Sequence, residues 1–498
     1  MALTSLWQDR TSTSRPPIPA SAAAYDVVVA GAGLTGLTTG LLLARSGLSV
    51  AVVEARTAGA GTTGRSTSKV SLLQGTKLSR IRDKHPVETL RHYVEANLEG
   101  QQWLVELAAE HGIPVQVRPA YTYATSEEGE SAARAELDAC LAAGLPATWE
   151  DDPGLPFLTR GAVRLAQQAQ LDPMDLVELL VDQLVAHGGV LLEHTRVRGV
   201  RGGRRGPLDV DLGAAHLQAD RVVLATGIPV LDRGGFFARL QPRRSYAAAF
   251  TSSWSAPGMY LSSDAATRSI RSTPSPDGEL LLVGGNGHVT GRHDPSPARR
   301  LGELVGWAHA TLPVSEERYR WSAQDYGSVH ELPYVGPLTP GSGRILVATG
   351  YDKWGFANAV AAAVVLSKQV LGERPTWAEA YTAWSARELG ALPSALAFNG
   401  EVALRLGSGW LRPVGHRRGE DLHEGEGEVH YDRAHPVATS KVEGRTRSVS
   451  AVCPHLRGVL AWNDAELSWD CPLHGSRFAP DGTLLEGPAT CDLAPRST

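Results

Sequence analysis

Residues 25–56 read "YDVVVAGAGLTGLTTGLLLARSGLSVAVVEAR", and this stretch decides the fold. Val27, Val28 and Val29 form a short β-branched run bounded by glycine, the pattern of a buried parallel strand. Gly31, Gly33 and Gly36 follow as G-x-G-x-x-G. The first glycine permits a tight turn, the second lets backbone approach a pyrophosphate, and the third lets the next helix pack on the strand. A helix is predicted over 34–46, and its first N–H groups, from Leu34 and Thr35, offer the positive dipole end to the phosphates. A second strand, over 49–53, ends at Glu54, which is placed to accept hydrogen bonds from an adenosine ribose, with Ala55 and Arg56 beside it. A lone glycine triplet says little. Strand, triplet, helix, strand and acid in order specify dinucleotide binding rather than ordinary βαβ packing.

No second complete unit follows. The best rival, "ELLLVGGNGHVTGRH" at 279–293, places Gly284, Gly285, Gly287 and Gly291 after a strand. It lacks the helix and the later acid, so a hairpin turn is expected there. One fingerprint points to FAD without a nicotinamide domain. Two later strands end in Thr-Gly: "ADRVVLATGIPV" (219–230) at Thr226 and Gly227, and "GRILVATGYDKWGFANAVAAAVVLSKQV" (343–370) at Gly350. Both are expected at the edge where ligands bind in open α/β sheets. In the second, a helix beginning near Gly355 and Phe356 aims its N-terminus at the flavin, stabilising negative charge on the reduced ring.

With these motifs the chain resembles the D-amino-acid-oxidase-like, or glycine/sarcosine-oxidase-like, FAD-dependent oxidoreductases over roughly residues 25–372. Two more stretches carry the resemblance: "AGTTGRSTSKVS" (60–71), and "QLDPMDLVELLVDQLVAHGGVLLEHTRVRGV" (170–200). It implies an α/β FAD-binding Rossmann-like domain (about 25–110, 166–235 and 331–372) with an interleaved antiparallel-sheet substrate domain (about 111–165 and 236–330). Thr63, Ser66, Thr67 and Ser68 would line the flavin ring, and Val197 would bond the adenine through its backbone. Many members hold a substrate carboxylate with an arginine in a W-x-G-x-R-P stretch. Here "WSAQDYGSVHELPYVG" (321–336) places Gln324 and Asp325 there. An acid repels a carboxylate and attracts a cationic amine, so an amine substrate is expected, unless Asp325 only bonds local backbone. Arg271, in "TRSIRSTP", is a possible replacement guanidinium, although a strand arginine is more often at the surface. Tyr246, Trp321, Tyr326, Tyr351 and Trp354 are further candidates for the pocket wall.

The second chemical motif lies at 453–478, "CPHLRGVLAWNDAELSWDCPLHGSRF". Cys453, His455, Cys471 and His474 form C-x-H and C-x-x-H turns, each giving one thiolate and one imidazole. A zinc finger pairs like ligands instead. The mixed pairs suit a Rieske 2Fe–2S cluster, with both Cys on one iron and both His on the other. Residues from about 410 to 498 resemble the Rieske family, an all-β domain. Gly475 allows the turn, and Ser476 is placed to donate to cluster sulfur. The family's bridging cysteines are replaced by Gly458 and Leu473, and its tyrosine donor by Phe478, which predicts a low cluster potential.

Among 498 residues, 42% are hydrophobic and 20% charged, with net charge −5, which argues against nucleic-acid or anionic-membrane binding. No apolar run suits a membrane span. Residues 1–24 lack the pattern of a secretory signal and are expected to form a polar arm. Four cysteines are too few for a disulfide framework, so a reducing, cytoplasmic setting is expected. Residues 373–409 are expected to be a structured connector. The whole implies a dehydrogenase acting on a C–N bond of a small amine or amino-acid-like substrate. Hydride would pass to FAD, then electrons one at a time through the cluster to an external acceptor. The alternative is an electron-transfer or redox-sensing protein with no organic substrate of its own.

Overall fold

The fingerprint folds as the strand Ala24–Ala30, which begins three residues before the predicted Val27–Val29 run, the helix Leu34–Arg45 and the strand Val50–Val53, the last two within a residue of the predicted limits. The structure, a computed structural model, describes residues 3–10, 24–203, 205–276, 278–292, 295–385, 392–411, 422–432 and 435–496. Ala24–Ala30 sits inside a sheet between His216–Leu224 and Val50–Val53, parallel to both. Ser342–Thr349 pairs parallel to His216–Leu224 on the far side, and Tyr334–Thr339 closes that edge antiparallel. The two Thr-Gly ends are therefore on one edge, beside the glycine turn.

Gly31 has φ +102°, and a Cβ there would lie 2.5 Å from the Ala225 carbonyl oxygen. A Cβ at Gly36 would lie 1.9 Å from the Gly31 oxygen. Helix and turn touch through bare backbone, so Gly36→Ala has nowhere to place its methyl group. Overpacking of this kind costs about 1–3 kcal/mol. Gly36→Ala is expected to lower the unfolding midpoint and to weaken FAD retention on gel filtration; an unchanged midpoint would contradict the close approach.

A second sheet runs in the order Val314–Ser328, Leu240–Ser252, Gly278–Val289, Arg268–Ser275, Met259–Ser262, Gln116–Tyr123, Ala162–Gln170 and Lys69–Val70. Along this path it is antiparallel except where Met259–Ser262 meets Gln116–Tyr123. The hairpin expected around Gly284, Gly285 and Gly287 is not there: Gly278–Val289 is one strand that passes through all three. The glycines serve close approach instead. A Cβ at Gly285 would lie 2.4 Å from the Thr267 oxygen, and one at Gly287 would meet Ser245 Oγ and Lys353 Nζ at 2.8 Å. A turn comes only at Gly291 (φ +74°), whose Cβ would lie 2.5 Å from the Pro472 nitrogen in the second Cys/His loop.

The N-terminal segment also departs from expectation. Leu6–Arg10 is a short helix with Leu6 and Trp7 wholly buried, rather than part of a polar arm. Apolar burial fixes it, helped by bonds from Ser5 Oγ to the Gly64 oxygen (2.6 Å) and Trp7 Nε1 to the Ser66 oxygen (2.8 Å). Between the modules lie a 3-10 turn, Thr376–Tyr381, and the helix Leu392–Leu411. The expected connector also includes 386–391, which lie outside the described residues. The C-terminal module has two small sheets: Gly427–Asp432, His435–Val442 and Arg445–Ser450; and Ala461–Asn463, Ser468–Asp470, Arg477–Phe478 and Leu484–Glu486. No helix among the described residues is long and apolar enough to cross a membrane.

Candidate functional site

A long cavity follows the edge of the parallel sheet. Gly31, Gly33, Leu34 and Thr35 line its centre, and Glu54, Ala55, Arg56 and Val197 one end. Thr63 and Ser66, then Thr226 and Gly227, then Gly355 and Phe356 complete the sides. Glu54 is fixed by two backbone donors, Ala32 N (2.9 Å) and Arg56 N (2.9 Å). Thr63 Oγ1 accepts from Leu34 N at 3.1 Å, joining the fingerprint to the 60–71 segment. Gly36, Thr67, Ser68 and Gly350 do not line the cavity. Gly36 packs against the turn, and Gly350 takes a left-handed φ of +84° where strand becomes loop.

The expected substrate residues divide. Asp325 borders the cavity, but its Oδ2 accepts the Lys353 N–H at 2.6 Å. Burial pushes its carboxyl up to about 6, against that hydrogen bond. Asp352 and Lys353 stand consecutively in the left-handed region, at φ +49° and +75°. Lys77 and Arg80 hold the Asp352 carboxylate at 3.0 and 2.9 Å. Asp325 thus clamps a strained turn beside Tyr351, which argues against its role as an amine-binding acid. Tyr351 lines the cavity and its hydroxyl bonds Thr35 Oγ1 at 2.9 Å; Tyr326 lines it too. Trp354 precedes the helix Gly355–Leu371 off the cavity wall. Trp321 is buried and donates to the Arg65 oxygen, while Tyr246 faces the other side of its sheet with Phe250 and Tyr260. Arg271, expected more often at the surface, is 1% exposed.

Gln324 also borders the cavity, but its side-chain amide is engaged elsewhere. Its Nε2 donates to Tyr326 Oη (2.9 Å) and to the Gly475 carbonyl (2.9 Å), and its Oε1 accepts from Thr290 Oγ1 (2.8 Å). Gly475 follows His474, so one side chain links the cavity wall to the Cys/His loops. Sequence reading missed this contact, and missed that Leu485, Glu486 and Gly487 form part of the cavity wall.

The two Cys/His loops share one backbone plan. Cys453 N bonds the Gly458 oxygen (2.9 Å) and Cys471 N the Ser476 oxygen (2.8 Å), five residues on in each case. The N–H groups of Arg457 and Gly475 return to the two cysteine carbonyls at 3.1 Å. Both of those residues are left-handed, at φ +56° and +77°. The imidazoles lie 5.1 Å apart, centroid to centroid, and are nearly perpendicular. Phe237 sits edge-on to both, and Asp232 Oδ1 contacts His455 Nε2 at 2.5 Å.

Three features fit a 2Fe–2S cluster. Nδ1 of both His455 and His474 is buried without a hydrogen-bond partner among the described residues. Burial, then neighbouring His455, pushes His474 down to about 3, which favours the neutral imidazole that an iron ligand requires. The two thiols face each other: hydrogen bonds from Cys471, from backbone at His455 and Leu456, and from Ser476 draw the Cys453 thiol down despite burial, while the same pairing and burial push the Cys471 thiol up. A Cβ at Gly458 would lie 2.8 Å from the Leu473 side chain, so these positions touch through apolar atoms. Phe478 is fully buried and has no hydroxyl to donate. A midpoint in the lower half of the roughly −150 to +300 mV Rieske range is expected by EPR-monitored redox titration; one in the upper half contradicts this.

Fold and sites together define a flavin oxidoreductase carrying an iron–sulfur module. The FAD dependent oxidoreductase (DAO) family model matches residues 26–369, and the Rieske [2Fe-2S] domain model matches 416–495. The chain belongs to the FAD dependent oxidoreductase family; its first module binds FAD and its second a 2Fe–2S cluster. It is similar to the Rieske 2Fe-2S iron-sulfur protein YhfW of Bacillus subtilis (strain 168), 30% identical over 487 residues, covering 96% of this chain and 95% of that one. Among solved structures it resembles glycine oxidase from Geobacillus kaustophilus (TM-score 0.60, 19% identity, 72% of this chain and 98% of that one). It also resembles L-amino acid deaminase from Proteus vulgaris (TM-score 0.59, 15% identity, 75% and 99%).

Proposed function

We propose that the protein is a dehydrogenase that oxidises a C–N bond of a small amine or amino-acid-like molecule and delivers electrons to an external one-electron acceptor. FAD supplies acceptance of a hydride, and the 2Fe–2S cluster supplies transfer of one electron at a time. The chain's own residues hold geometry. The helix Gly355–Leu371 turns its N-terminus to the cavity, and Asp325, Lys77 and Arg80 fix the strained turn before it. The observation that carries the reading is the shared wall: Leu485–Gly487 border the flavin cavity while Gln324 bonds Gly475 beside His474. An attached one-electron carrier that meets the flavin this closely favours a dehydrogenase over an oxidase. A reducing, cytoplasmic setting is proposed on the strength of the cysteine count, with Cys140 and Cys491 free.

The test is an anaerobic screen of amines and amino acids, following flavin bleaching and then the cluster signal. Substrate-driven bleaching that precedes cluster reduction supports the dehydrogenase. Reduction only by dithionite or a partner reductase favours the alternative, an electron-transfer or redox-sensing protein without its own organic substrate.

A further inference from the structure

We propose that Asp232, a side chain of the flavin module, is the outer partner of the cluster ligand His455 and lowers the reduction potential of the cluster. This stands on the cluster alone, whatever reduces the flavin. The strand His216–Leu224 runs on into Thr226, Gly227 and Val230 of the flavin cavity wall, and Asp232 comes two residues later. The Arg233 N–H returns to the Leu231 oxygen at 2.7 Å, a three-residue turn with Asp232 at its centre. Arg233 Nη2 donates to the Val200 oxygen at 3.0 Å. Further on, the Arg239 guanidinium carbon lies 4.3 Å from the ring centre of Phe236, 4.5 Å from that of Tyr334 and 4.4 Å from that of Trp384. The segment that carries Asp232 is thus anchored on both sides.

His455 turns one ring nitrogen inward. Its Nδ1 is buried without a hydrogen-bond partner among the described residues and is the atom left for iron. Nε2 then carries the ring proton and donates it to Asp232 Oδ1 at 2.5 Å, across 223 positions of chain. The His455 side chain is 5% exposed and that of Asp232 48%, so the carboxylate sits on the imidazole while half in contact with solvent. The other imidazole is covered differently: His474 is 2% exposed, and Phe237 lies edge-on to it at 5.5 Å. The two histidine ligands are therefore unequal, and the difference comes from the flavin module.

A carboxylate bonded behind an imidazole fixes its tautomer and raises its basicity as a metal ligand. The same negative charge lies beside a centre that gains an electron on reduction, and like charges repel. Both effects favour the oxidised cluster. Asp232 thus adds, by a separate cause, to the low potential expected from Phe478, and makes the reduced cluster a stronger donor to a one-electron acceptor. It is a positioning residue, acting through His455 rather than on the irons. Asp232 belongs to neither sequence motif, so only the packing of the two modules brings it to the cluster.

The test is an EPR-monitored redox titration of the full-length holoprotein and its variants at one fixed pH, with FAD and iron contents reporting folding. Asp232→Asn keeps the size and removes the charge. It should raise the midpoint, so that the ratio of reduced to oxidised cluster at the wild-type midpoint grows at least about threefold, as suits a charged hydrogen-bond partner half in water. Asp232→Glu, which keeps the charge, should move the midpoint less. Asp220→Asn removes an exposed acid within the strand His216–Leu224 and should leave it unchanged. An unchanged or lower midpoint in Asp232→Asn overturns the proposal, and so does an equal rise in Asp220→Asn. If Asp232→Asn holds no iron, Asp232→Glu decides: a cluster retained near the wild-type midpoint supports the proposal, and any other result overturns it. Mediators rather than an organic substrate set the potential here, so a negative result leaves the dehydrogenase standing. A protein that no amine reduces can still show the Asp232 effect.

Discussion

Cys471→Ser is expected to give a yellow protein that keeps FAD, contains no stoichiometric cluster iron, and shows no Rieske EPR signal after reduction. Cys471 and Cys453 are 2% and 0% exposed, and each closes one of two matched loops. Serine offers a hard hydroxyl where the iron needs a thiolate. Loss of a partner outside the ligand shell already costs about 10–100-fold in metal affinity, so loss of a ligand exceeds that. The flavin cavity takes its lining from the first module and Leu485–Gly487, not from Cys471, so FAD should stay. Substrate-driven bleaching should survive while delivery to a one-electron acceptor falls by more than about 100-fold. A variant that retains the EPR signal would show that the four ligands are wrongly assigned.

The second large effect is expected at the seam between the modules. Glu466 is buried between Arg244 of the second sheet and Arg477 of the iron–sulfur module, with Arg244 Nη2 at 2.6 Å and Arg477 Nη2 at 3.2 Å. Arg477 also bonds Asp470 (3.0 Å) and Glu486 (3.2 Å), and Arg65 of the flavin-lining segment approaches Glu466 at 3.9 Å. Arg244 is 0% exposed and Arg477 3%. Glu466→Ala leaves Arg244 with Glu486 alone, 3.5 Å away, and Arg477 with Asp470 and Glu486, and is expected to cost about 3 kcal/mol, the lower end of what breaking a buried pair costs. Denaturant unfolding should show the loss at pH 7, and limited proteolysis should separate the modules more readily.

The same seam gives a pH dependence with a definite sign. Burial works to raise Glu486, but Arg477 and Arg244 outweigh it and draw the carboxyl down to about 2. They hold Glu466 lower still. A depressed carboxyl contributes stability above its unfolded value, about 4.3, and loses it as pH falls through the folded value. The wild-type seam should therefore be intact at neutral pH and weaken between about pH 4.5 and 2. In Glu466→Ala that acid-dependent loss should shrink. An equal acid response in both proteins would remove the ion pairs from the explanation.

Much of this was legible in the sequence because its signals are local. The turn at Gly31, the dipole end at Leu34 and the acid at Glu54 lie within one βαβ unit, where spacing and chain geometry leave few alternatives. The same holds for Cys453, His455, Cys471 and His474, whose loops are set by short backbone bonds. Where the signal was ambiguous, the reading went astray. Glycines at 284–287 suit a turn as well as a crowded strand, and only the neighbouring Thr267, Ser245 and Lys353 decide between them. Leu6 and Trp7 sit in a polar stretch, so nothing local marks them as buried.

The sequence by itself determined two redox modules and their cofactors, and marked out four candidate cluster ligands, since each motif carries its chemistry within a few residues. Only the tertiary structure decided that Gln324 spans the two modules, that Asp325 clamps a backbone turn, and that Arg271 lies buried beside Lys69. Those facts depend on partners 28 to 202 positions away along the chain. Burial and pairing at such separations are set by how sheets and loops pack, and a one-dimensional pattern does not encode that.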